Sequence, residues 1–452
     1  NQAASAHFAN RRIIVASDAS GQMNLTSQQI SKYIYPLFAD IIVPSSKVGV
    51  PSSLRQLDTL NFAPRLGAAL QLPFKFVLRA GYGIQYPLEQ GNQVLSTGVI
   101  NIPFLADELN QYNVTPLPTK TLVDFFPPYT LGDVTLASLG SPSFFDLNPS
   151  RRNPYIQQYN LTIQKSLSGF LSLEVAYVGS KGTALSLSTP LNTPLPGPGN
   201  IQARRAWTIF GQGYYLDNTA NSNYNALQTK VEVRNRRGLT LLSSYTYGKS
   251  ISDQGGDLQN STVQDPNNVA AERARDGWDQ RHLFVTSLTY ELPFLRHRQG
   301  LVGSILGGWN ASSIISIASG LPFTPTISVD SANTGTSRRP DRVGSGRLSD
   351  PTIDRWFDVS AFTVPAQYTY GNSGNDILDG PATRNWDFGL LKNFALRKID
   401  EGAFLQFRAE FFNFTNTPNF GLPNTNIQTT TAGKILSAGP ARVIQFGLKL
   451  SF

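Results

Sequence analysis

The last twelve residues, 441–452 (ARVIQFGLKLSF), carry apolar side chains at Ile444, Phe446, Leu448, Leu450 and Phe452, with Gln445, Gly447, Lys449 and Ser451 between them. Successive side chains on a strand point to opposite faces, so a period of two predicts a ribbon with one apolar and one hydrated face. The same pattern recurs upstream. Leu405, Phe407, Ala409 and Phe411 oppose Gln406, Arg408 and Glu410, and Leu227, Val231 and Val233 oppose Gln228, Lys230, Glu232 and Arg234. Read backward from Phe452, alternation and turn residues predict strands at about 441–452, 403–414, 384–393, 308–319, 280–292, 238–250, 224–235, 169–180, 155–166, 74–86 and 59–70, roughly eleven in all.

The connections between these strands alternate strictly between short (71–73, 166–168, 236–237, 395–402 and, less tightly, 293–307) and long (87–154, 181–223, 251–279, 320–383 and 415–440). That layout is the one of an outer-membrane β-barrel, whose periplasmic turns are short and whose external loops are long. The predicted fold class is therefore all-β, an antiparallel transmembrane β-barrel placed in a bacterial outer membrane. The last strand then descends and Phe452 lies at the periplasmic rim. Tyr82, Tyr86, Tyr177, Tyr247 and Trp386 fall at the outer interface and Phe74, Tyr290, Trp309 and Phe452 at the inner one, as two aromatic girdles require. A charge at the lipid midplane costs about 2 to 4 kcal/mol, so Lys75, Arg79, Glu174, Lys230, Glu232, Asp387, Arg408 and Glu410 are expected to face the lumen. There they form ion pairs between wall strands or with a lumenal partner rather than a substrate filter.

An odd number of strands leaves both edges unpaired, which lipid does not tolerate. Either residues 11–23 add a twelfth strand and close a small barrel, or further strands precede Asn1 in a longer parent; the second reading is favoured, with 1–58 an external loop or irregular segment holding at most one strand and 59–452 the barrel portion. The chain shows no charged-then-apolar leader and its one Met is at position 23, so it reads as a mature or truncated piece.

Composition narrows the class. Of 452 residues, 40% are hydrophobic and only 15% charged, against about 25% charged in a typical soluble globule. No apolar run reaches the roughly 18 residues of a membrane helix. The absence of Cys excludes disulfides and thiolate metal sites. The net charge of +8 is scattered instead of blocked, which argues against nucleic acid and for a basic lumen or loops facing anionic headgroups.

The passages NFAPRLGAAL and VLRAGYGIQY, NPYIQQYNLTIQKSL with LSLEVAYVGSKGT, NYNALQTKVEVRNRRGLTLLSSYTYGKSISD, RDGWDQRHLFVTSLTYELPF and FRAEFFNFTNTPNFGLPN, in that order, resemble the C-terminal barrel of Oar-like TonB-dependent outer-membrane receptors over most of 59–452. The resemblance implies a barrel of about 22 strands, of which this chain holds the second half. It also implies an N-terminal plug, coupling to TonB through a box on that plug, and active uptake of a scarce solute without bond chemistry. Plug, first barrel half and the N-terminal carboxypeptidase-regulatory-like β-sandwich common in the subfamily are not in this sequence. Phe446, Leu448, Leu450 and Phe452 resemble the family's signal to the barrel-assembly machinery. The remaining partners implied are outer-membrane lipid and an unidentified solute; no cofactor is expected. The other readings are a passive porin-like channel of twelve strands and a barrel-embedded hydrolase using His282.

Candidate chemistry is sparse. His7, His282 and His297 lie far apart without ligand spacing, so no metal site is expected. His282 in DGWDQRHLF sits near Asp276 and Asp279 at a strand top, a setting that is structural more often than catalytic. The oxygen-rich 253–268 loop lacks EF-hand spacing and reads as a solvated loop. Gly81-Tyr82-Gly83 lies inside a strand with no helix after it, so it is no phosphate loop. Six Asn-x-Ser/Thr sequons, three of them inside predicted strands, carry no weight in a bacterial barrel. The best ligand contacts are the rings and guanidinium groups of Arg204, Arg205, Trp207, Phe210, Tyr214 and Tyr215, for which loop packing is the alternative role.

Overall fold

The structure, a computed structural model, describes residues 12–23, 35–87, 135, 140–253, 263–295, 298, 300–336, 338–396 and 400–452. Eleven strands form one antiparallel meander: β1 (Arg65–Leu72), β2 (Phe76–Gln85), β3 (Tyr155–Ser166), β4 (Leu171–Leu191), β5 (Gly213–Arg236), β6 (Leu239–Ser252), β7 (His282–Glu291), β8 (Trp309–Ala318), β9 (Thr383–Ala395), β10 (Phe404–Phe412) and β11 (Val443–Ser451). Each pairs with its neighbours in sequence. Among the described residues β1 and β11 pair with each other nowhere, so the ladder is open at both ends. Among the described residues no helix is long and apolar enough to cross a membrane.

Register turns the alternating pattern into a surface. Residues directly opposite in an antiparallel ladder share a face, and one row runs Leu70, Leu78, Ile163, Val175, Thr229, Tyr245, Phe284, Ile317. A second runs Ala311, Leu390, Ala409, Phe446. The apolar positions of all eleven strands thereby join into one face that spans the bilayer. Its aromatic girdles are built as well. Near the long-loop rim the Tyr159 and Tyr177 hydroxyls both donate to Asn225 Oδ1 (2.7 and 2.8 Å), and Trp386 Nε1 donates to Ser313 Oγ (2.8 Å). Toward the short-turn rim Trp309 meets Phe407 edge-on at 5.9 Å.

Short turns fix this register. The β5–β6 turn holds Arg237 and Gly238 both at positive φ (51° and 84°), the backbone of a two-residue hairpin whose twist matches its strands. A Cβ on Gly238 would press on Glu291, which adds a packing reason for glycine there.

Four expectations need correction. The first strand is Arg65–Leu72, not 59–70, because Pro64 has no N–H to extend the ladder, and Pro64 only accepts a bond from Ile84 N–H (3.0 Å). Lys75 is on no strand: Phe74 and Lys75 form the β1–β2 turn at positive φ (57° and 62°). The 181–223 connection is largely strand, since β4 and β5 are 21 and 24 residues long, about twice what a bilayer crossing needs. Their paired extensions stand above the wall and leave only 192–212 as loop. The 1–58 segment, expected to hold at most one strand, holds two short ones, of which Ile13–Val15 pairs in parallel with Ile42–Pro44 in a separate two-stranded sheet. That strand adds nothing to the wall.

Hydrophobic cores sit above the wall, at the long-loop rim. One joins Val15, Phe38 and Ile42 to Trp207 and Phe210; another gathers Phe323, Phe357, Ala361, Phe362 and Leu378 within the β8–β9 connection. Two small ladders, Pro322–Phe323 with Leu378–Asp379 and Asp341–Arg342 with Phe362–Thr363, stiffen that second core.

Candidate functional site

The polar face of the wall carries the charged ladder. Arg79, Glu174, Lys230, Glu232, Arg408 and Glu410 occupy positions whose register partners alternate with the apolar rows, and Asp387 joins them near the long-loop rim. Glu174 stands directly opposite Lys230, and Arg79 reaches Gln164 Oε1 at 2.7 Å and Glu174 Oε2 at 4.0 Å. Glu232 takes a two-pronged bond from Arg234 (2.8 and 3.0 Å), Arg408 Nε donates to Gln406 Oε1 (2.5 Å), and Asp387 Oδ1 accepts the Asn413 N–H (2.8 Å). Strand spacing of two residues places each of these groups on the same side, where water or a polar neighbour satisfies it.

A hollow of about 450 Å³ opens between β1 and β5, lined on the polar face by Arg65, Gln85, Gln158, Asn160, Ser180 and Tyr224. Gly81 and Gly83 keep it open: a side chain at Gly81 would press on the Asn160 amide. This is a small-residue floor beneath a polar rim, bounded by the open β1 edge.

The 204–215 cluster is mostly built into the protein. Phe210, 1% exposed, and Trp207 are buried, with Phe144 edge-on to both at 5.4 and 5.6 Å. Asn192 caps the loop by donating to the Trp207, Phe210 and Gly211 carbonyls and accepting from Trp207 N–H. Arg204 donates to Leu195 O (2.6 Å) and to Asn333 O; Arg205 donates to Asn192 O (2.5 Å) and Gln202 Oε1 (3.0 Å). Tyr214 stacks on Phe145 at 5.6 Å, and burial beside Asp217 and Asp146 pushes the Tyr215 hydroxyl pKa up. The rings and guanidinium groups are thus held as a rigid plate; Arg204, Arg205, Tyr214 and Tyr215 keep partial exposure, while Trp207 and Phe210 do not.

Sequence reading missed the polar centre of the cap. Glu272 and Arg339, both almost fully buried, pair at 2.5 Å, and Asn375 bridges them by accepting from Arg339 (3.0 Å) and donating to Glu272 (2.7 Å). Glu272 also accepts the Gln264 N–H (3.0 Å), and the Gln264 side chain accepts Arg339 N–H (2.9 Å). These residues come from two different long connections, so no local period reveals them. Nearby, Arg275 bonds the Asp379 carboxylate (2.6 Å) and the Asp376 and Leu378 carbonyls, tying the cap to the top of β6. Burial raises the Asp276 and Asp376 pKa values above the ordinary carboxylate range.

His282 belongs to the apolar face, opposite Tyr247, and its Nδ1 is bonded to the Tyr245 hydroxyl at 2.8 Å. Among the described residues no Asp, Glu or Ser side chain bonds this ring, and Asp279 instead receives Ser250 N–H (2.8 Å). No group of three or more His, Asp or Glu residues capable of holding a metal occurs among the described residues. His7, His297 and most of the 253–268 loop lie outside them.

A search of curated proteins found no match. Among solved structures the chain is similar to the outer membrane transporter YddB from Escherichia coli (10% identity, TM-score 0.45, 83% of this chain and 38% of that one). It is also similar to the ferric-catecholate import receptor Fiu from E. coli (10%, 0.38, 84% and 34%) and the FrpB iron transporter from Neisseria meningitidis (10%, 0.40, 86% and 39%). The chain thus spans under two-fifths of the length of each of these three. The family model of the outer membrane beta barrel domain matches residues 10–445, and this chain, with its apolar and polar faces, belongs to that family of outer-membrane barrels.

Proposed function

We propose that this wall is part of a TonB-dependent receptor that takes up a scarce solute actively, the polar face lining a lumen filled by a plug and the capped rim facing the outside. The observation that carries the reading is the pair of edges, β1 and β11, left unpaired among the described residues on a ladder already eleven strands wide. Hydrocarbon tolerates no unpaired backbone, so the working ring contains further strands. A ring well beyond about 16 to 18 strands leaks unless its lumen is plugged, and the plugged members are transporters. The ladder Arg79, Glu174, Lys230, Glu232, Arg408 and Glu410 then serves wall-to-plug and wall-to-wall pairing. Phe446, Leu448 and Leu450 line the lipid side of an edge strand, with Phe452 one residue beyond its end, a setting that suits capture by the assembly machinery through strand addition. Selection of the solute falls to the long-loop rim, with Arg204, Arg205, Tyr214 and Tyr215 as its partly exposed contacts.

Planar-bilayer recording of the full-length protein tests this against a passive channel. A plugged receptor shows no steady conductance until denaturant displaces the plug. Stable ohmic conductance in the native protein would sink the receptor reading in favour of a porin.

A further inference from the structure

The 293–307 link raises a helix, Gly300–Leu306, at the rim that carries Trp309. Its large apolar residues all face the surroundings: Leu301 (81% exposed), Val302, Ile305 and Leu306, with Phe294 of the same link exposed beside them. Its inward side is glycine. A Cβ on Gly303 or Gly307 would collide with the carbonyls of Arg298 and Leu295, so the helix lies flush on the backbone before it and has no side-chain core of its own.

What fixes the helix comes from the membrane face of the wall. Lys392 Nζ donates to Ile305 O (3.1 Å) and to Gly307 O, and Trp309 Nε1 donates to Ile305 O (3.0 Å). Lys392 stands opposite Trp309 on one side and Phe407 on the other, and Phe407 opposes Leu448, so all four belong to the apolar face. The ammonium also lies 5.0 Å from the Phe394 ring centre and 5.6 Å from that of Trp309. A cation facing lipid needs partners, and the free carbonyls at a helix C-terminus supply them. The helix is therefore drawn to the lipid side of the wall, where its exposed residues continue the surface of Trp309, Phe407 and Leu448.

We infer that Gly300–Leu306 with Phe294 is an apolar foot seated among phospholipid acyl chains of the leaflet at the short-turn rim, held against the wall by Lys392. The inference rests on the lipid-facing assignment of the Trp309 and Leu448 face. An apolar helix with no core beneath it gains from hydrocarbon what it loses in water, and the neighbouring wall supplies a lipid boundary already at that level.

The chain itself has no cysteine, so in a full-length protein cleared of any cysteine outside these 452 residues, single-cysteine variants can be labelled at one point with an environment-sensitive fluorophore. In phosphatidylethanolamine–phosphatidylglycerol vesicles, lipids spin-labelled on the acyl chain are expected to quench Leu301→Cys about as strongly as Leu448→Cys, and at least about twofold more than Gln445→Cys on the polar face. Quenching at Leu448 without quenching at Leu301 overturns the foot. Loss of quenching at Leu448 itself means that the lipid-facing assignment has failed first. In the latch test, Lys392→Met should lower quenching at Leu301 by about twofold while heat-modifiable migration shows the barrel folded, and Lys392→Arg should retain it. Unchanged quenching in Lys392→Met refutes the latch.

Discussion

The wall and the cap obey opposite burial rules. On β11, Phe446 and Leu448 are 68% and 72% exposed, while in the cap Phe210 and Phe357 are each 1% exposed. The wall turns its apolar side chains outward because its solvent is hydrocarbon and leaves charges on the other face. The cap meets water, so it gathers phenylalanines inward, and it also buries an ion pair. One chain holds both arrangements because the strands alternate with period two, whereas the long connections carry no period and collapse like small globules. The lesson is that exposure of a leucine has no meaning until the solvent on that side is known.

The sharpest break of the comparison lies in the cap. Replacing Arg339 by Met leaves Glu272 and Asn375 buried without their cation, a loss of about 3 to 5 kcal/mol. Native-state hydrogen exchange should report melting of the 263–276 and 321–379 segments with the wall still protected. Adding Glu272→Gln should recover part of the loss, because no uncompensated charge then remains.

Next comes a pair one residue apart in the wall. Leu390→Arg points at lipid in the middle of β9 and is expected to cost about 2 to 4 kcal/mol in equilibrium unfolding from vesicles. Leu391→Arg, turned to the polar face, should cost far less. Equal costs would mean that the two faces do not differ as described.

The charged ladder sharpens the picture at smaller scale. Glu174→Gln removes the partner of Lys230 and Arg79 on a half-exposed face, where such pairs contribute about 0 to 1 kcal/mol. A thermal shift in the isolated wall should therefore be slight. A measurably larger effect on energy-dependent uptake would assign Glu174 to plug contact.

The smallest effect is a pH dependence of the cap. Asp276 and Asp376 have folded-state pKa values above their unfolded ones, so their contribution is fully present below the unfolded carboxylate pKa and is lost as pH rises through the folded values. Hydrogen-exchange protection around Ser250 and Thr324 should weaken as pH rises above the ordinary Asp value of about 3.9. Asp276→Asn should flatten that profile near Ser250, its hydrogen-bond partner.

Alternation over β2, β3, β10 and β11 made the strand count, the two faces and the order of short and long connections legible from residues alone. It also placed Arg79, Glu174, Lys230, Glu232, Arg408 and Glu410 on one side, because charge at every second position leaves a strand no other choice. It misjudged where β1 begins, since Thr59–Pro64 alternates nearly as well as a strand while Pro64 lacks the donor the ladder needs. It read 181–223 as loop because turn residues interrupt the alternation there, yet β4 and β5 pair with each other along both flanks, Leu187 and Ala220 burying against Val263 of another connection. The loop candidates show the same limit: Trp207 and Phe210 looked available for a ligand, and only the approach of Val15, Phe38 and Ile42 across more than 150 residues buries them.

Local pattern thus settled the ribbon and its two-sidedness, which depend on nothing beyond the geometry of neighbouring residues. Contacts between distant segments decided the rest: the Glu272–Arg339 pair, the plate around Asn192, and the helix that Lys392 holds to the wall. Those depend on which parts of the chain meet, and a period of two carries no information about that.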